Sequence, residues 1–109
     1  MTITPLKFKH CKTPLTQALG FMFQKNPGAM ALVFHFPLEC RPLFHMFFVF
    51  FKIDMIWLDK NKNVVDIKRN IKPFTPVIFS TKKAKFIIEI PSNQNAEISF
   101  TLGKPISFE

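Results

Sequence analysis

The run FHMFFVFFKIDMIWLD, residues 44–59, places Asp54 between Ile53 and Met55 and opens with His45. A carboxylate among apolar side chains must be hydrogen-bonded or paired, or it gives up its charge. Two roles suit Asp54. It grips a ligand or exchanges a proton with one, with His45 as its acid–base partner. Alternatively, it ties down backbone N–H groups at a bend near Lys52. In the binding reading, Met22 and Phe47 supply apolar contact beside His45 and Asp54. No residue is assigned a catalytic role.

Other donors are less well spaced. His35, Cys40 and His45 fall five residues apart, with His10 and Cys11 upstream. Zinc sites use tight pairs such as C-x₂-C or H-x₃-H, and none occurs, so no metal is expected. Cys11 or Cys40 could act as a nucleophile only with an activating histidine close in space, which spacing does not show. No glycine-rich phosphate loop is present, and no cofactor is expected.

The chain carries a net charge of +8. Between Lys60 and Lys85 lie seven lysines and Arg69 against Asp66 alone, a net +7 for that segment. Lys68, Arg69, Lys72, Lys82 and Lys83 are the candidate phosphate contacts of a nucleic-acid reading. With only two arginines, the chain is poorly supplied for bidentate base or phosphate recognition. Nucleic acid is therefore a lesser reading, and a solvated lysine face is the plain one.

The run at 44–59 is too short and too interrupted to span a bilayer, because Lys52 and Asp54 would each cost about 2.5–3.5 kcal/mol at its centre. No membrane span is expected. The start MTITPLKFKHC has charges where a leader would be apolar. Two cysteines are too few for a disulfide scaffold. The expected location is the cytoplasm.

The elements follow from periodicity. LKFKHCK alternates as a half-buried strand, with Leu6, Phe8 and His10 opposite Lys7, Lys9 and Cys11. Thr13 and Pro14 start a short helix over 14–23, with Leu15, Ala18, Leu19 and Met22 on one face and Gly20 limiting it. NPG at 26–28 is a turn. MALVFHF is a strand stopped by Pro37. The aromatic run reads as two strands, 44–50 and 53–58, broken near 51–53. Phe48 and Phe50 would share one face, and Phe47, Val49 and Phe51 the other. DKNKN turns into VVDIKR, making a hairpin over 53–69. KPFTP cannot sit in a central strand. AKFIIEI alternates, with Phe86, Ile88 and Ile90 on one face, and AEISFTL and PISF end the chain. Seven to nine short strands and one helix predict a mainly β, single domain over 1–109, an antiparallel sandwich or partly closed barrel.

The order of these motifs resembles the family named domain of unknown function 192. TQALGFMF is similar to its G-L-M-F-R-like helix end, and AMALVFHF to its M-L-F-V-F-like strand. FHMFFVFFKIDMIWLD looks like the archaeal variant of its F-W-M-K-N-T-x-I-P-L-D-I-x-F-I-D motif. KPFTP and IIEIP match in order. The chain departs from the pattern at Lys52, where proline is usual, at Ser92 or Asn93, where glycine is usual, and at Gly103–Lys104 for a G-D pair. The resemblance implies a jelly-roll-like β domain and no activity. It also favours the structural role for Asp54, since the family aspartate stands beside a turn.

The reading placed first is a small non-enzymatic binding or interaction domain with an apolar patch or groove near Asp54 and His45, its partner an unspecified small molecule or protein. The phenylalanines of 44–51 occupy both strand parities. Any face left uncovered would be an interaction surface. An acid–base enzyme using Asp54 and His45, and a weak basic nucleic-acid module, are the alternatives. Oligomeric state is left open.

Overall fold

The computed structural model describes residues 7–25, 28, 30–92, 102–103 and 105–106. Strand β1 is Lys7–Cys11, helix α1 Pro14–Leu19, β2 Met30–Cys40, β3 Ile53–Leu58, β4 Val64–Ile71 and β5 Ala84–Pro91. Among the described residues the chain is mainly β with one short helix, as the periodicity predicts, and the five strands form one sheet, ordered β1-β2-β5-β3-β4, that does not close into a barrel. β1 pairs with β2 in parallel through a crossover carrying α1, and the other pairings are antiparallel. The sheet is thus mainly antiparallel, and its one parallel edge is a pairing that alternation does not reveal, since alternation marks a strand but not its partner. The AEISFTL strand, Leu102 apart, lies outside the described residues, as do Ser107 and Phe108 of PISF and, Gly28 apart, the NPG turn. Pro105 makes an isolated bridge to Asn63.

β5 occupies the centre because its run is apolar on both parities. Ile88 and Ile90 join Ala31, Val33, Ile56 and Leu58 on one face, with Phe86 packed alongside. On the other face Ile87 joins Leu32, Phe34, Met55 and Trp57. β1 behaves as a half-buried edge: Phe8 packs on the first cluster and Cys11 is buried in the second, while Lys7 and Lys9 stay exposed.

Thr13 caps α1 in a capping box, its Oγ1 accepting from Thr16 N at 3.2 Å while Thr16 Oγ1 accepts from Thr13 N at 3.1 Å. The helix ends at Leu19, short of the predicted residue 23, because Gly20 turns the chain at φ +46. Leu15 and Leu19 are exposed rather than forming a buried stripe, and Phe21 after the helix enters the core instead.

Two strand boundaries differ from expectation. β2 continues past Pro37 to Cys40. β1 pairs with β2 only as far as Phe34, and the β5 register breaks between His35 and Cys40. Pro37 therefore sits where no ladder needs its missing N–H. The predicted strand 44–50 is a loop. His45 Nδ1 accepts the Phe47 N–H at 3.1 Å, and Val49 N donates to Met46 O at 3.1 Å around Phe48 at φ +57. The aromatic residues favour strands, but propensity yields to packing. Met46 and Val49 are buried, Phe47, Phe48 and Phe50 face outward, and Phe51 packs edge-on to Phe21 at 5.4 Å. The second half of the run, 53–58, is β3 as predicted. Among the described residues no helix is long and apolar enough to cross a membrane.

Candidate functional site

Glu89 of β5 stands opposite Leu32 of β2 and Met55 of β3 in the ladder. Side chains two apart share a face, so its carboxyl lies on the Ile87 side of the sheet. That side is roofed by the end of α1 and by the 42–49 loop, which leave a cavity of about 210 Å³. Phe34, Phe36, Phe21, Phe44, Met22 and Met46 form most of its apolar wall, and Glu89, Gln17 and His45 are its polar side chains.

Glu89 is 5% exposed. Burial alone pushes its carboxyl up from 4.5 to about 8, with no cation or hydrogen bond offsetting it among the described residues. Gly20 turns the chain over the site at φ +46, a backbone conformation that favours glycine, and a Cβ there would make ordinary contact at 3.5 Å with both Glu89 Oε1 and the Phe34 ring. Gln17 pins the roof to the sheet, Nε2 donating to Cys11 O at 3.1 Å and His35 O at 2.6 Å. The Cys11 thiol is pushed up mainly by burial, with Lys9 pulling down and Glu89 adding to the rise, so it is a packed thiol and not an activated nucleophile. Burial also raises the Cys40 thiol.

The residues singled out from the sequence are not gathered in one place. His45 and Met22 line the cavity. His45 accepts a backbone N–H at Nδ1, so its neutral ring carries the proton on Nε2. Phe47 is exposed, its ring 5.1 Å from that of His45, and is not part of the cavity wall. Asp54 is not there either, so the groove lies near His45 and Glu89 rather than near Asp54. Asp54 Oδ1 accepts from Asn70 N at 2.8 Å and Ser92 Oγ at 2.7 Å, and Arg69 Nη1 lies 3.5 Å from Oδ2. Asn70 holds φ +55, and Ser92 N donates to Lys52 O at 2.9 Å. Asp54 thus joins the end of β4 to the turn after β5. We expect Asp54→Ala to cost about 1–3 kcal/mol of stability. An unchanged midpoint in chemical denaturation, with loss of ligand binding, would make it a binding residue instead.

The five candidate phosphate contacts are all exposed. Two are engaged by the fold itself: Lys68 donates to Phe79 O and lies over the Trp57 and Phe79 rings, and Arg69 pairs with Asp54. Phe74 and Phe79 are exposed, as a basic stacking surface would need. However, Lys68 lies over one face of Phe79, and Phe74 packs edge-on to Phe48 and Phe50. His10 and His35 pair at 2.7 Å, and burial, then His10 and nearby lysines, lowers His35. Among the described residues no group of three His, Cys, Asp or Glu could hold a metal ion.

Glu89 and Gln17 went unrecognised in the sequence. Alternation puts Lys85, Ile87 and Glu89 on one face, which reads as the solvent side of a half-buried strand. Only the roof over that side, built from distant segments, turns Glu89 into a buried group. The one available signal is its position between Ile88 and Ile90 in a run apolar on both parities.

The fold and site define a small β domain with a roofed apolar cavity and, among the described residues, one buried carboxyl, that of Glu89. By sequence, the chain belongs to the family DUF192, "Uncharacterized ACR", which it matches over residues 2–108. It is 42% identical over 89 residues to a UPF0127 protein of Thermococcus kodakarensis, covering 78% of this chain and 54% of that protein. A UPF0127 protein of Pyrococcus horikoshii is 38% identical over 96 residues, covering 86% of this chain and 80% of that one. The chain thus spans about half the length of the first relative and most of the second. Among solved structures, a Sinorhizobium meliloti protein described as a candidate transcription regulator aligns with a TM-score of 0.78 at 15% identity, covering 88% and 76% of the two chains. A protein of unknown function from Novosphingobium aromaticivorans aligns with a TM-score of 0.73 at 20% identity, covering 79% and 63%. These structural likenesses establish the fold alone.

Proposed function

We propose that the domain binds, without converting it, a small and mainly apolar molecule that presents a hydrogen-bond acceptor to Glu89. The observation that carries this reading is a buried carboxyl facing an aromatic and methionine wall, pushed up to about 8 by burial alone. At neutral pH Glu89 is mostly protonated. It is then an O–H donor with no charge to desolvate. Its complement is a carbonyl or carboxylate oxygen, and the chain's net charge of +8 favours the approach of an anion. The size is also suitable, since a dry apolar cavity of about 150 Å³ already admits benzene. His45 at the rim can orient a polar end. The acid–base pairing of Asp54 with His45 has no support, because Asp54 is committed to Asn70 and Ser92.

Three probes of one shape test this reading: phenylacetate, phenylacetamide and phenethylamine, followed by chemical shifts of cavity methionine methyls. Phenylacetate and phenylacetamide are expected to bind, and Glu89→Leu to abolish the preference. Affinity should fall as pH rises through about 8, where Glu89 loses its proton and its carboxylate opposes the ligand oxygen. An amine ligand requires the opposite slope. Preference for phenethylamine, or no shift with any probe, would overturn the proposal.

A further inference from the structure

Outside the cavity, four exposed phenylalanines form one cluster. Phe23 stacks on Phe48 with centroids 5.0 Å apart, and Phe74 packs edge-on to Phe48 at 6.0 Å and to Phe50 at 5.6 Å. They come from three segments: the turn after α1, the 42–52 loop and the β4–β5 connection. Backbone bonds hold these segments together, from Phe23 N to Phe48 O at 2.8 Å and from Phe74 N to Met46 O at 2.8 Å. All four rings are 45–62% exposed.

Three of the four, Phe23, Phe48 and Phe74, hold left-handed backbone, at φ +65, +57 and +61. A bulky residue there is strained, and Gly or Asn serves such turns better. The chain therefore carries strain at three phenylalanines without gaining burial for them. Strain of this kind, found in one exposed cluster, points to a use for the surface. Each outer ring also has an exposed lysine two residues along: Lys25 from Phe23, Lys52 from Phe50 and Lys72 from Phe74.

We propose that this phenylalanine knob, with exposed Lys25, Lys52 and Lys72 each two residues along the chain from one of its rings, docks the protein on an anionic lipid bilayer. Surface insertion combines buried apolar side chains with attraction of cations to anionic headgroups, and the knob supplies both. Stacking of nucleic-acid bases fits less well. Such platforms need free ring faces, whereas Phe23 and Phe48 already cover one another. The proposal is independent of the cavity reading.

The test is co-sedimentation with vesicles of phosphatidylcholine alone and of phosphatidylcholine mixed with phosphatidylglycerol. Binding is expected to the mixed vesicles and to weaken with added salt. Phe48→Asn and Phe74→Asn suit their left-handed backbone, so folding should hold or improve. Docking should fall by at least about tenfold per ring, the transfer value of a phenyl side chain. Lys25→Gln, Lys52→Gln and Lys72→Gln should each weaken it about fivefold and leave the thermal midpoint unchanged. Equal binding to both vesicle types, or no binding, would overturn the proposal. So would a concentration-dependent dimer that Phe48→Asn removes, which makes the knob a self-association surface. Tight binding of a single-stranded DNA oligonucleotide lost in the same variant would assign the knob to nucleic acid instead.

Discussion

Raising the pH from 5 to 8 is expected to destabilise the wild-type protein steeply, and Glu89→Gln is expected to remove most of that slope. In the folded chain the Glu89 carboxyl is held at about 8, against 4.5 for an ordinary glutamate. Below 4.5 both folded and unfolded chains are protonated, and the group has no pH-linked effect. Between 4.5 and about 8 the unfolded chain has released a proton that the folded chain retains. Stability therefore falls by ~1.4 kcal/mol for each pH unit, on the order of 5 kcal/mol over the window, and levels off above it. That is comparable with the whole stability of many small domains. His35, lowered mainly by burial, contributes with the opposite sign, since stability is lost as pH falls and the unfolded imidazole takes up a proton. The quantity to measure is therefore the difference between wild type and Glu89→Gln in urea unfolding at several pH values. The two should nearly coincide at the acid end and diverge toward pH 8. Parallel curves would mean that Glu89 is solvated or paired in solution.

The same numbers explain why Glu89 reads as functional. A leucine at this position would bury the same face without a polar group and would carry no pH penalty. A carboxyl kept under Gly20, at the wall of a cavity, costs stability that apolar packing would not. An acid at the wall of an apolar cavity can donate a hydrogen bond to a ligand, which is the role proposed for Glu89.

How far these features were legible depends on how local their causes are. β3 and β4 were readable because alternation in VVDIKR and the polar turn at 59–63 are local signals. β5 was readable from Phe86, Ile88 and Ile90, which do share a face. The parallel pairing of β1 with β2 was not, since a five-residue edge strand carries no mark of its neighbour. Pro37 misled because a proline's missing N–H matters only where a ladder would use it. His45, at the head of the aromatic run, and Met22, on the predicted helix face, both line the cavity. Asp54 was found by burial within an apolar run, and the structure gives it hydrogen bonds between strand ends. Glu89 was missed because its environment is made by residues 17–22 and 42–49, far from it in the chain.

Alanine substitution along 46–51 should give an uneven profile, with Met46→Ala costing about 2–5 kcal/mol and Phe48→Ala and Phe50→Ala within about 0.5 kcal/mol of wild type. Composition alone ranks these residues the other way, because phenylalanine has the most apolar area to lose. Position reverses the order. Met46 is 1% exposed and Val49 4%, whereas Phe48 is 47% and Phe50 51%. Met46 is also a backbone hub, donating to Thr75 O at 2.7 Å and accepting from Phe74 N at 2.8 Å and Val49 N at 3.1 Å. Its side chain fills the cavity wall beneath those bonds, so truncation enlarges an existing space instead of letting the roof collapse. Val49→Ala removes less volume and should cost about 1–3 kcal/mol. Phe47 should resemble Phe48, apart from its ring contact with His45 at 5.1 Å. An alternating profile, with Phe47, Val49 and Phe51 costly and Phe48 and Phe50 cheap, would instead indicate that the 44–50 segment adopts the strand its composition favours. Uniformly large losses would mean that the phenylalanines are covered in solution, and the knob would then lose its role as a docking surface.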